Sequence, residues 1–233
     1  MASSTYDTWV NSFTGTDGAD SLTLNEGGNQ IDMGDGNDTV ISEGFVIDLD
    51  MGDGNDTAIL SGGANNVDLG DGNNVLVANS GFITSIEGGD GTDELNIGDD
   101  GAGSVDLGDG NDMVISSGYI ESMDLGDGDD VVSLTDGGNA DGGAGDDTFN
   151  FTFSNDGDRS VFDGGSGTDT VNIFLDGQDL DYGQLSDDLA DYASTGEAQL
   201  SQCNVTVEDV DVINVYDDSG QVVETYDYGD LFA

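Results

Sequence analysis

A glycine and aspartate segment that returns about every 18 residues constrains this chain more than any other feature. It reads TGTDGAD at 14–20, MGDGND at 33–38 and 51–56, LGDGNN at 69–74, GGDGTD at 88–93, LGDGND at 107–112, LGDGDD at 125–130, GGAGDD at 142–147 and GGSGTD at 164–169. The closing residues, Asp20, Asp38, Asp56, Asn74, Asp93, Asp112, Asp130, Asp147 and Asp169, are 18, 18, 18, 19, 19, 18, 17 and 22 residues apart. Such a period holds two short strands and two tight turns, which is one coil of a flattened parallel solenoid whose coils stack about 4.8 Å apart. Glycine supplies the positive φ that tight turns require. The chain has no proline, so every coil keeps the backbone donors that pair it with its neighbour. The expectation is an all-β solenoid of about nine coils over residues 14–175, with an N-terminal cap at 1–13 and a small α/β C-terminal cap at 176–233.

Equivalent positions predict the core. Val40, Ala58, Leu76, Leu95, Val114, Val132, Phe149 and Val171 form an apolar column two residues after the motif. Ile31, Leu49, Val67, Ile86, Val105, Met123, Ala140 and Phe162 form a second on the opposite strand, with Met33, Met51, Leu69, Leu107 and Leu125 beside the turn. Two facing columns make a narrow core, whose burial is marginal against the entropy of ordering the chain.

Charge sharpens that problem, because 51 acidic residues face a single basic one, Arg159, for a net charge of −50. Asp32, Asp50, Asp68, Glu87, Asp106 and Asp124 line up outward on the second strand. Two charges one coil apart repel by roughly 0.9 kcal/mol even in bulk water. Nucleic acid and anionic lipid both require a cationic patch, so neither is an expected partner. The chain has no histidine, so it cannot build a Ser-His or Cys-His nucleophile or a histidine-bound zinc site. An enzyme is not expected, and no residue is assigned a catalytic role. Cys203 is the only cysteine, which excludes an internal disulfide. No stretch approaches the roughly 18 to 20 apolar residues that span a bilayer, so membrane insertion is not expected. Residues 1–13 lack the basic and apolar regions of a secretory signal peptide.

The turns resemble the nonapeptide GGxGxDxUx of the RTX (repeats-in-toxin) calcium-binding β-roll family. The likeness is fullest in GGDGTDELN (88–96), GGAGDDTFN (142–150) and GGSGTDTVN (164–172), and in most other coils Met or Leu replaces the first glycine. It implies a right-handed parallel β-roll in which the aspartates of successive turns and alternate carbonyls of the glycine loop enclose calcium ions. Carried over by position, the side-chain ligands are Asp20, Asp38, Asp56, Asn74, Asp93, Asp112, Asp130, Asp147 and Asp169. The loop glycines are Gly34, Gly36, Gly52, Gly54, Gly70, Gly72, Gly89, Gly91, Gly108, Gly110, Gly126, Gly128, Gly143, Gly145, Gly165 and Gly167. Asn74 offers an oxygen without a charge, so its sites are expected to be weaker.

Calcium takes six to eight hard oxygens, which stacked carboxylates and carbonyls provide without His or Cys. Nine turns leave up to about eight inter-turn sites, and eight Ca²⁺ would cancel 16 of the 50 negative charges. Folding on calcium addition is therefore expected. The chain departs from the family's usual pattern in the second half of each coil: EGFVIDLD (43–50) and SGFITSIE (80–87) lack an in-register GxD. Calcium is accordingly expected along one edge only. One-sided rolls resemble the ice-binding domain of a large marine RTX adhesin, whose ice-facing turn position is Thr. Asp35, Asp53, Asp71, Asp90, Asp109 and Asp127 stand there, which argues against ice binding.

Outside the turns, Thr39/Ile41, Thr57/Ile59, Val75/Val77 and Met113/Ile115 form an outward ladder interrupted by Glu94/Asn96. Phe45, Phe82 and Tyr119 recur every 37 residues on the edge without the motif, where they either stack on a glycan or another subunit or pack the corner. After Leu175 the repeat dissolves. Leu185, Leu189 and Tyr192 predict a helix over 184–193, and Val207, Asp209, Asp211 and Ile213 alternate as one strand over 205–215. The terminus from Tyr228 to Ala233 resembles the tail of type I secreted RTX proteins. It implies an extracellular or cell-surface destination reached without an N-terminal signal, where millimolar calcium fills weak sites. The expected function is a calcium-dependent, non-enzymatic structural protein that forms a homo-oligomer or polymer as a fibre, surface layer or matrix. The alternative is an adhesin for a glycan or another surface.

Overall fold

The computed structural model describes residues 3–152, 159–175, 181–189 and 192–228. As far as Thr170–Phe174 successive strands go alternately to two sheets, which have 12 and 11 strands among the described residues. Sheet A opens with Ser3–Tyr6, Ser21–Leu24 and Thr39–Ser42, and sheet B with Val10–Thr14, Gly28–Asp32 and Val46–Asp50. Except for the last pair of each sheet, neighbours are parallel and in register with the repeat, so Val40 lies beside Ala58 and Leu49 beside Val67. The result is a parallel β-solenoid of about nine coils at about 18-residue spacing, consistent with a β-roll. Among the described residues no helix is long and apolar enough to cross a membrane.

Both predicted columns are buried, as are Met33, Met51, Leu69, Leu107 and Leu125. Two more inward columns flank the corner opposite the motif, so the core is thicker than the 18-residue repeat predicts. Across that corner Leu24 faces the chain's return at Gly28, Ser42 at Val46, Leu60 at Ala64, Ala78 at Ile83, Ile97 at Ala102, Ser116 at Ile120 and Leu134 at Gly138. In these seven coils a large side chain on one side goes with a small one on the other, and the assignment swaps from coil to coil; in the next coil Phe151, beside Leu134, is again the large partner and Ser160 the small one. Close packing requires this, since a corner of fixed size holds one large side chain and not two. A Cβ added at Gly138 would already sit 3.3 Å from Leu134 Cδ1. In two small-side coils the buried hydroxyls of Ser42 and Ser116 donate to the carbonyls of Gly44 and Gly118 at 2.8 and 2.7 Å.

Residues 3–14 supply one strand to each sheet, with Ser4 beside Leu22 and Phe13 beside Ile31. At the other end, Leu185, Leu189 and Tyr192 are buried as their spacing predicts. They sit on two short helices, Tyr182–Asp188 and Tyr192–Thr195, rather than on one. Asp181 caps the first, accepting from the N–H groups of Gly183 and Gln184 at 2.9 and 3.3 Å. The single strand expected over 205–215 is two strands, Val205–Glu208 in sheet B and Val212–Tyr216 in sheet A. The chain turns between them because Asp209 takes a φ of 44° and the Tyr192 hydroxyl holds both backbone groups of Val210. Glu197–Leu200 and Val222–Asp227 then pair antiparallel at the ends of the two sheets, which stops the parallel stack. Residues 153–158 of the longest coil and the tail from 229 to 233 lie outside the described residues.

Candidate metal centre

The motif turns stack into a single edge, and their closing residues form a file through it. All nine, from Asp20 to Asp169, are 3 % exposed or less. The backbone N–H of each of the first eight donates to the side-chain Oδ1 of its equivalent in the next coil: Asp38 N to Asp56, Asp93 N to Asp112 and Asp130 N to Asp147, at 2.6, 2.7 and 2.8 Å. Glycine is obligatory where the turns meet. A Cβ on Gly72, whose φ is +135°, would lie 1.6 Å from the Gly54 carbonyl oxygen. Carbonyls between the glycines are used by the backbone itself, as Gly54 N donates to Asp71 O and Gly72 N to Asp90 O at 2.8 and 2.7 Å.

In seven of these rungs the second carboxylate oxygen has no such partner. Oδ2 of Asp38, Asp56, Asp93, Asp112, Asp130, Asp147 and Asp169 is buried and accepts no hydrogen bond. Leaving one buried acceptor unsatisfied costs about 1 to 3 kcal/mol, more when it is charged. Loss of water pushes the carboxyls of Asp56, Asp93, Asp112, Asp130 and Asp147 up to about 6 and that of Asp169 up to about 7. For Asp112, Asp130, Asp147 and Asp169 the carboxylate of the preceding rung raises it further, against the lowering effect of the backbone N–H bond. A cation would relieve desolvation and repulsion together.

Two predicted ligands differ from the rest. Asp20 Oδ2 already accepts from the N–H and hydroxyl of Thr16 at 2.7 and 2.9 Å. Asn74 keeps the common bond through Oδ1, which accepts from Asp56 N at 2.9 Å, but its Nδ2 donates to Gly70 O at 2.9 Å and approaches Gly72 O at 3.5 Å. The two glycines of a turn therefore aim their carbonyls at the position that Oδ2 occupies in the other rungs. The first-glycine carbonyls of Gly108, Gly126 and Gly143 each also accept an N–H from the following coil, at 3.2, 2.9 and 2.8 Å.

Asp211 is a rung that the repeat did not reveal: Asp169 N donates to its Oδ2 at 2.9 Å, and it is 7 % exposed. The 42-residue gap, which carries both helices, hides it from any search by period. Its turn is Glu208-Asp209-Val210-Asp211, without glycine.

Among the described residues no three carboxylate, imidazole or thiol groups converge on one point. A cation held here would take its other oxygens from glycine carbonyls and water. Hard, acceptor-only oxygens without nitrogen or sulfur match a group 2 divalent ion better than zinc or copper.

Elsewhere, the acidic column predicted on sheet B runs from Asp32 through Asp50, Asp68, Glu87, Asp106 and Asp124 on to Asp141, Asp163 and Glu208. Burial and its neighbours Asp68 and Asp32 raise the carboxyl of Asp50. The predicted outward ladder on sheet A does face out, with Ile41 and Ile115 exposed. An open depression of about 480 Å³ beside it is lined by Ile115, Ser133, Leu134, Thr135, Asn150, Thr152 and Phe174, none of which ionises near neutral pH. Phe45 and Phe82 are 39 and 43 % exposed and Tyr119 is half-buried. Cys203 is buried, which pushes its thiol up to about 12. Comparisons with protein-family models, with curated proteins and with solved structures give no match.

Proposed function

We propose that this chain is a calcium-loaded RTX-type β-roll that works as a non-enzymatic structural rod outside the cell. The observation that carries the reading is the file of seven buried carboxylate oxygens without a donor, set against glycine carbonyls. Such a file is unstable by itself and becomes an asset when divalent cations enter it. Calcium suits it because its coordination shell is large and tolerant, whereas magnesium demands a rigid octahedron and retains its waters. Extracellular millimolar calcium would fill such sites and cytosolic calcium would leave them empty, so folding follows export. The acidic column of sheet B supports a role in which the rod meets other copies through further bridging cations, giving a homo-oligomer or polymer. A second reading, an adhesin, rests on the exposed rings of Phe45 and Phe82, two coils apart on the opposite edge.

Titration calorimetry with calcium, paired with circular dichroism in calcium and in chelator, tests the proposal. Several bound ions per chain and strand signal that disappears in chelator are expected. No calcium uptake, or the same spectrum in both conditions, would overturn it. Electron microscopy then separates the two readings: fibres or lattices that dissolve in chelator favour the structural role, and single particles that bind a glycan through Phe82 favour the adhesin.

A further inference from the structure

The rung at Asn74 differs from its neighbours in one atom, and that atom changes what the rung can bind. Its Nδ2 stands where Asp56 and Asp93 place an oxygen, and it donates to Gly70 O at 2.9 Å while Gly72 O lies at 3.5 Å. The orientation of the amide is fixed by its surroundings. Oδ1 faces an N–H, that of Asp56, and Nδ2 faces two carbonyls, so the flipped amide would lose its bonds at both ends. The side chain is 1 % exposed, and both of its polar atoms are satisfied within the protein. Oδ2 of Asp56 on one side and of Asp93 on the other is buried without a donor.

From this we propose that the Asn74 amide is a built-in substitute for a cation, closing its own rung to metal and dividing the file into two separately loading runs. The shorter run holds Asp38 and Asp56, and the longer begins at Asp93 and continues to Asp169. An N–H donor gives the two carbonyls what a cation gives them elsewhere, and it does so without a charge. An ion at this rung would have to displace a satisfied hydrogen bond and accept a neutral ligand in place of an anionic one. Thr16 closes the start of the file in the same manner by donating twice to Asp20 Oδ2. The cations are then fewer than the eight that an unbroken file of nine turns would hold.

The inference rests on the calcium reading, and the test keeps the two apart. The full chain and its Asn74→Asp variant are equilibrated at the same free calcium, and bound calcium per chain is measured by mass spectrometry. Asn74→Asp is expected to bind at least one ion more than the natural chain. A folded variant with an unchanged count would overturn the inference while leaving the calcium reading intact. No calcium on either chain would remove both. Anomalous diffraction from calcium-loaded crystals of the natural chain needs no variant to fold. Peaks are expected beside Asp112 and Asp130 and none against the carbonyls of Gly70 and Gly72, where a peak would overturn the proposal.

Discussion

The two edges of the roll solve the same geometric problem with opposite chemistry. On the motif edge the coils are built alike except at Asp20 and Asn74, and seven rungs leave a buried carboxylate oxygen without a donor. On the other edge seven coils alternate and close by packing: Leu60 goes with Ala64, Ala78 with Ile83, and the Ser116 hydroxyl binds the Gly118 carbonyl. A corner that closes by packing can vary its residues, because only summed volume matters. A corner that must offer oxygens at a repeated spacing cannot. On the proposed reading, uniformity on one edge marks the side that serves a ligand and alternation on the other the side that serves the fold.

The sharpest way to break this contrast is Gly72→Ala. Its Cβ would lie 1.6 Å from the Gly54 carbonyl oxygen in a backbone that L-residues avoid. A loss of more than about 3 kcal/mol is expected in calcium, read by thermal melting. A melting curve like that of the natural chain would show that the turns are not stacked this closely.

Acidification in chelator comes next. Burial pushes the carboxyls of Asp56, Asp93, Asp112, Asp130 and Asp147 up to about 6 in the folded chain and that of Asp169 up to about 7, from the ordinary 3.8. The metal-free fold thus holds protons that the unfolded chain has released. Its stability is expected to rise as pH falls from about 7 toward 4 and to be lost as pH climbs through 6 to 7. In calcium the dependence reverses, since protons and cations compete for the same oxygens. Strand signal in chelator that is indifferent to pH, or that weakens on acidification, would remove the buried file as its cause.

Asp56→Asn sharpens the contrast further, because its sign depends on the metal. In calcium the variant is expected to lose bound ions and melt earlier. In chelator it is expected to gain about 1 to 3 kcal/mol, with its amide donating to the loop carbonyls as that of Asn74 does, read as recovered strand signal. Effects of the same sign in both conditions would contradict a site that is completed by cations. The smallest effect belongs to the opposite edge. Phe82, 43 % exposed, is expected to change stability by less than about 0.5 kcal/mol on replacement by alanine, and a larger loss would place its ring in the packing of that corner.

The columns headed by Val40 and Ile31 and the file from Asp20 to Asp169 were legible because a solenoid turns period into position: residues one coil apart share an environment. The two extra core columns escaped that logic. Their chemistry alternates between coils, so Ser42 under Leu24 looks like a broken column until the partner across the corner is seen. Asp211 escaped for a different reason, since the chain leaves the roll for 42 residues before returning to it. The strand read over 205–215 was two strands, because alternation of inward and outward residues continues around a corner that only φ at Asp209 and the Tyr192 hydroxyl define.

The period, the parallel stacking, the inward columns and the residues that line one edge can be read from the chain alone, because each is a property of a repeat. Which oxygens are left without donors is set only once the coils are folded against one another. Satisfaction depends on individual contacts across coils, and at Asn74 a single atom, nitrogen in place of oxygen, sets a closed rung apart from an open one.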